Sequence, residues 1–273
     1  MASKEVIVIG NGMFGSIAAS LARARGHAVT VVSNNEPMAA SKASGCVLAP
    51  SWLGSLSAQQ VKDGMTVLHQ LYTVEDIVFT TNLLAKFKAS RIDPDAMLVE
   101  PDIVSRVVAV QNGVVALENG QKLKGQVLVA AGIWSAELID MPVVRGLYGS
   151  SVRFQAHLPS PRIHVYAPYR QSVGFQLNKR EVWFGDGTAL IKSTWDKEST
   201  ARKAKTLERG LQMLGVPGAK YKITEGVRPY VEGHKAGYFA KVGVNTWVST
   251  GGAKNGTVLA ASQAAQFITE ARL

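Results

Sequence analysis

Residues 5–9 (EVIVI) are apolar after Glu5 and close on Gly10. A β-branched run of that length without polar alternation predicts a strand buried on both faces. Residues 16–25 are rich in alanine, place Leu21 four positions after Ile17, and stop at Gly26, the spacing and punctuation of a helix. Residues 28–32 (AVTVV) predict a second buried strand. Together these make a βαβ unit with a right-handed crossover.

Farther along, the period changes. Residues 107–110 and 114–117 flank a turn at Gln111-Asn112-Gly113, and Asn119-Gly120 marks a second turn, so a three-stranded antiparallel meander is expected. Residues 126–130 predict another buried strand. The segments 152–154, 164–167, 173–177 and 181–184 alternate in strand fashion, with a hairpin tip at Asn178-Lys179-Arg180. Residues 197–214 predict a basic amphipathic helix, 247–250 a last buried strand and 257–271 a last helix. A meander in place of a third βα unit points to a flavin-type fold rather than an NAD dehydrogenase. The expected class is α/β: a Rossmann-like two-dinucleotide-binding domain with a β-meander, plus a smaller antiparallel-β substrate domain. Residues 1–50, 96–141 and 225–273 are assigned to the first, and 51–95 and 142–224 to the second.

The first strand runs into Gly10-x-Gly12-x-x-Gly15. In that arrangement Gly10 permits the tight turn, Gly12 admits a pyrophosphate to the backbone, and Gly15 lets helix and strand pack closely. The helix N-terminus, carrying Met13 and Phe14, offers N–H donors and a positive dipole end. The acid that usually bonds the adenosine ribose is missing after the second strand. Ser33 and Asn34 stand there as neutral substitutes, with Glu36 slightly beyond.

Composition narrows the setting. The 273 residues are 47% hydrophobic and 18% charged, as in an ordinary globular protein. No apolar run is long enough to cross a bilayer, and the chain enters its first strand without a leader-like segment, so a cytoplasmic protein without membrane partners is expected. One cysteine, Cys46, and five histidines without ligand spacing give no expectation of a disulfide or a metal. Net charge is +10, unevenly spread: residues 1–144 carry 11 Lys/Arg against 12 Asp/Glu, and residues 145–273 carry 19 against 8. A basic half suits either a solvated surface or a large anionic partner.

Four segments resemble the D-amino-acid oxidase/glycine oxidase superfamily of FAD-dependent enzymes. They are the small-residue loop at 40–50 (ASKASGCVLAP), the turn at 130–135 (AAGIWS), Gly226-Val227-Arg228-Pro229, and the loop at 250–256 (TGGAKNG). The resemblance covers about residues 5–50 and 101–271. It implies FAD, held without a covalent bond, and O2 as electron acceptor. It also implies cofactor contacts from Ser41, Gly45, Cys46, Val47, Val104, Ala131, Gly132 and Trp134. Further contacts are implied for Gly252, Ala253, Lys254, Asn255, Gly256 and Thr257. Arg228 falls where the family places the substrate-carboxylate arginine, Lys254 where it places a basic residue close to the flavin, and Tyr166 where it places a substrate-side tyrosine. Structural alternatives stand beside each: a salt bridge for Arg228, a solvated loop for Lys254, a half-buried strand position for Tyr166, and a small core residue beside the flavin for Cys46.

The segment between Pro50 and the meander is shorter than is typical of the family, which implies an abridged cap and an open site. The expected reaction is oxidation of the Cα–N bond of an N-linked glycine, releasing glyoxylate and the free amine. With the basic second half, this is similar to the chemistry of the FAD oxidase domain of the bifunctional tRNA wobble-uridine modification enzyme, and to that of phage thymidine-hypermodification flavoenzymes. The expected partner is therefore a glycyl-modified base in DNA or RNA. An oxidase of free glycine, sarcosine or a D-amino acid, and a flavin-binding protein without turnover, remain as alternatives.

Overall fold

A computed structural model of the chain describes residues 4–82, 86–166, 170–187, 190–191 and 196–273. β1 (Glu5–Ile9), α1 (Met13–Ala24) and β2 (Ala28–Ser33) form the opening βαβ unit, with β1 and β2 parallel. They lie in a six-stranded sheet in the spatial order 238–243, 246–250, 126–129, β1, β2, 103–104. All neighbours in it are parallel except the strands Tyr238–Gly243 and Thr246–Thr250.

Strand alternation distributes the core over two faces. Val6, Val8, Val31 and Leu128 point to one face, where α1, the helix Ala58–Leu71 and the helix Gly256–Glu270 cover them with Ile17, Leu21, Leu68 and Phe267. Ile7, Ile9, Val32, Val127 and Val129 point to the other, against Val107, Val115 and Leu117. Those last three come from the meander Val107–Gln111, Val114–Leu117 and Lys122–Lys124, which forms a separate sheet. A continuous apolar run such as VIVI is needed because both faces are covered.

The second, larger sheet is almost wholly antiparallel. Its longest pair joins Val144–Gln155 to Tyr221–Val231, in register from Val144↔Val231 to Phe154↔Tyr221. The sequence reading found only the end of the first strand and read no strand over the second. Pro229 explains the omission, since proline signals against a sheet interior. Tyr221–Val231 satisfies that rule by pairing with a full strand on one side only. A hairpin of Glu75–Thr81 and Lys86–Arg91, also unread, extends this sheet at its far end.

The helix Asp196–Leu214 packs Met213 and Leu214 on Val152, Phe154, Val182 and Phe184. By contrast, residues 58–71, assigned from the sequence to the substrate domain without a helix being read there, form the helix Ala58–Leu71, which shares a core with α1 and the last helix. Gly64 makes that crossing close: a β-carbon there would lie 2.3 Å from the carbonyl oxygen of Val258. No helix among the described residues is long and apolar enough to cross a membrane.

The Gly64 contact is directly testable. Alanine favours a helix over glycine by about 1 kcal/mol, yet a backbone oxygen cannot move aside without separating the helices. Gly64→Ala should therefore lower the unfolding free energy by about 1–3 kcal/mol in urea titrations; a stabilised variant would contradict this packing.

Candidate functional site

A cleft of about 920 Å³ runs from the end of β1 to the paired strands of the larger sheet. That is near the upper end of the volumes that hold small molecules and cofactors. Four segments build it, and they are fastened to one another. Val227 donates its N–H to Met38 O at 2.9 Å, and a β-carbon on Gly226 would sit 2.7 Å from Ala40 Cα, so the small-residue loop lies directly on the Gly226–Pro229 segment. Ala253 N–H donates to Pro229 O at 3.2 Å, docking the C-terminal glycine loop on the same segment. Thr250 Oγ1 donates to Gly132 O at 3.1 Å, which ties in the turn at 130–135.

The three glycines of the opening turn divide their work. A β-carbon on Gly10 would lie 2.5 Å from Ala130 O, and one on Gly15 would lie 1.8 Å from Gly10 O. Both positions serve backbone packing, and Gly10 also has φ +101°. Gly12 differs: its β-carbon would meet only Ser41 Oγ, at 3.2 Å, while Gly12 itself lines the cleft. Gly132 and Gly256 also line the cleft and have almost nothing near a would-be β-carbon. These glycines keep open the space that a bulky ligand would fill. The helices Met13–Ala24 and Gly256–Glu270 both begin at the cleft, and neither has a side-chain N-cap. Helix N-terminal N–H groups beyond that of Met13 and two positive dipole ends suit a phosphate-bearing or otherwise anionic group. The residues present fit an FAD.

Most expected cofactor residues meet here. Gly10, Gly12, Met13, Phe14, Ser33, Asn34, Ser41, Gly45, Cys46, Val47, Ala131, Gly132, Trp134, Gly252, Ala253, Lys254, Gly256 and Thr257 all line the cleft. Gly15 is set back from it, under Gly10. Two expected residues lie outside the lining. Val104 is 65% exposed and outside the lining, because pairing with Ser33 turns its side chain outward; Ser105 and Arg106 line the wall in its place. Asn255 is also outside it, since its Nδ2 donates to Ser55 Oγ at 2.6 Å.

Several side chains have duties beyond lining. Ser41 Oγ accepts from Met13 N–H at 2.7 Å, taking up one donor of the helix N-terminus. Ser33 donates to Asn11 Oδ1 at 2.8 Å and accepts from Asn35 N–H at 3.1 Å, so its hydroxyl is engaged with protein. Glu36 lines the cleft near it and is the acid nearest in sequence to the missing ribose ligand. Cys46 is buried, and burial pushes its thiol up to about 11, with hydrogen bonding to Ser44 and Thr257 acting in the opposite sense. A thiol held protonated is a poor nucleophile, in keeping with a core role.

At the far end Arg228 and Lys254 share the cleft. Burial works against the charge of the Arg228 guanidinium and lowers its pKa; Asp186 opposes that effect and Arg202 adds to it. The side chain of Tyr166 lies outside the described residues. Sequence reasoning missed Gln171, Trp183 and Asp186, which complete this wall. The available signal was a charged residue directly after an apolar strand, in Phe184-Gly185-Asp186-Gly187. Trp183 lies so close to the loop that a β-carbon on Gly45 would be 2.9 Å from its indole.

The two kinds of glycine should fail differently. Gly12→Ala should leave the stability of the cofactor-free protein within about 1 kcal/mol of the parent and weaken FAD binding, read by fluorescence titration, at least about tenfold. Gly15→Ala should destabilise the cofactor-free protein itself by about 2 kcal/mol or more. The reverse pattern would contradict the assignment.

No family model matches the sequence, and no curated protein matches it. Solved structures do. Glycine oxidase from Bacillus cereus ATCC 14579 superposes with a TM-score of 0.73 at 16% identity, over 99% of this chain and 97% of that one. Iminodiacetate oxidase from Chelativorans sp. BNC1 gives 0.64 at 14% identity, over 94% and 92%. An FAD-dependent oxidoreductase from Pseudomonas aeruginosa gives 0.67 at 13% identity, over 98% and 90%. The chain has the fold of these proteins, as the four segments led us to expect.

Proposed function

We propose, from the shared fold and the arrangement of the cleft, that the protein is an FAD-dependent amine oxidase of the glycine oxidase type. One observation carries this reading: Arg228 and Lys254 open onto the same cleft as both glycine loops. FAD, when bound, supplies two-electron oxidation of a C–N bond. The chain's own residues then have three tasks. Gly12 and the two helix N-termini hold the cofactor's phosphates and ring. Arg228 holds the substrate carboxylate, for which a planar fork of donors is suited. Lys254 places positive charge where negative charge develops. The imine produced hydrolyses in water, so no strong base is required of the wall. For an N-linked glycine the products are glyoxylate and the free amine, with O2 as acceptor.

We further propose that the glycine is carried on a pyrimidine of DNA or RNA. The support is the charge distribution, with 19 Lys/Arg against 8 Asp/Glu in residues 145–273. Clustered cations attract polyphosphate with steep salt dependence. Incubating the flavin-loaded protein with an oligonucleotide bearing a glycyl-modified pyrimidine should release glyoxylate. KM for that oligonucleotide should rise at least about tenfold between 50 and 200 mM salt. Efficient turnover of free glycine or sarcosine with no such salt dependence would sink the nucleic-acid reading and leave the amine oxidase.

Variants separate the two cations. Arg228→Ala should raise KM for carboxylate-bearing amines on the order of 30-fold, and unchanged kinetics would remove its anchoring role. Lys254→Met should slow flavin reoxidation by O2 more than substrate reduction, seen by stopped-flow absorbance; equal slowing of both halves would argue against a role with oxygen.

A further inference from the structure

Asp186 is 1% exposed, yet it lies in the cleft wall with Arg228. Its Oδ2 is 3.3 Å from Arg202 Nη2 and 3.6 Å from Arg209 Nη1, and it accepts from Thr206 Oγ1 at 3.3 Å. Thr206 Oγ1 is in turn 2.8 Å from the hydroxyl of Ser150, another cleft residue. Arg202, Thr206 and Arg209 follow one another at spacings of four and three, so one face of the helix Asp196–Leu214 brings all three onto the wall from behind. The same face turns apolar at its C-terminal end, where Met213 and Leu214 enter the core.

A carboxylate buried to this degree costs several kcal/mol unless well paired, and removing one partner of such a group is strongly destabilising. Here the pairing faces the substrate end of the cleft. With two guanidinium groups and a hydroxyl at Oδ2, Asp186 is poorly placed to take an amine proton. It is well placed to offset cations. Arg202 adds positive charge beside Arg228, Arg209 pairs with the same carboxylate, and Asp186 is the anion that offsets them. A guanidinium binds a carboxylate in two parallel bonds only when its orientation is held by neighbouring groups, as second-shell partners hold metal ligands.

We propose that Asp186 is the positioning residue for Arg228: braced by Arg202, Thr206 and Arg209, it aims the Arg228 guanidinium into the cleft and makes the site selective for amines that carry a carboxylate. This rests on the reading of Arg228 as the carboxylate anchor. Its consequence is a selectivity device in the helix Asp196–Leu214, outside the cofactor loops.

The test uses the flavin-loaded protein, with acetate as the carboxylate probe and flavin absorbance as the signal. Catalytic efficiency is compared between glycine and glycinamide, the analogue that lacks the carboxylate. Asp186→Asn should weaken acetate at least about tenfold and lower the glycine-to-glycinamide efficiency ratio by a similar factor, with FAD affinity unchanged. Combined with Arg228→Lys, it should add little to the loss caused by that change alone, because both act on one interaction. Thr206→Val keeps the ion pairs and should weaken acetate about threefold, so it decides the matter if Asp186→Asn fails to fold. Equal losses for glycine and glycinamide, or unchanged acetate binding in the variants, would overturn the role of Asp186. Absence of acetate binding in the parent protein would overturn the Arg228 reading and this proposal together.

Discussion

Gly15 sits under the carbonyl of Gly10 so closely that a β-carbon would lie 1.8 Å from the oxygen. The placement of the site follows from that approach. It draws the start of α1 up to the end of β1, and Gly10, with φ +101° and Ala130 O at the place of its missing β-carbon, lets the chain turn without lifting the helix away. Phe14 on that helix then fills the space beside Gly252 and Gly256, where a β-carbon on Gly252 would be 2.8 Å from its ring. Chain residues more than 200 positions apart thus meet at one wall. Two helix N-termini open on the same cleft because Gly252, having no side chain, leaves room for the Phe14 ring between them.

The far end of the cleft follows a different rule. There the wall is a sheet whose polar residues face inward, and a buried sheet face must be covered. The helix Asp196–Leu214 covers it in two ways along its length. Met213 and Leu214 meet Phe154 and Phe184 where the sheet is apolar. Arg202, Thr206 and Arg209 meet Asp186 and Ser150 where the sheet borders the site. A neighbouring bracket, in which Lys203 pairs with Glu225 at 3.1 Å and Tyr148 donates to Glu225, repeats the device one residue along. Charge in the second half of the chain therefore has an inward component besides its surface one.

Much of the half built on the opening βαβ unit was legible in the residues themselves. Unbroken apolar strands, glycines at fixed offsets and an Asn-Gly turn are local signals with a single favourable reading. The order of the four family-like segments was likewise enough to name the fold, since each depends on backbone shapes that few residue types allow. Val104 and Asn255 mark the limit of that approach. Each lies in a segment that touches the cleft, but side-chain direction is set by cross-strand pairing with Ser33 in one case and by a hydrogen bond to Ser55 in the other.

The half built on the larger sheet was far less legible. The strand Tyr221–Val231 carries a proline and a glycine that argue against a strand locally; eleven paired positions with Val144–Phe154 override them. Arg202 and Arg209 lie in a stretch that the sequence predicts only as a basic amphipathic helix, and Asp186 follows an apolar strand with no sign of a partner. Their meeting needed the helix to cross the sheet at that one place. Local patterns encode which backbone shapes are affordable, and these settled the glycine turns and the small-residue loop. Which distant side chains neutralise one another depends on how separate elements dock, and only the folded chain decided that.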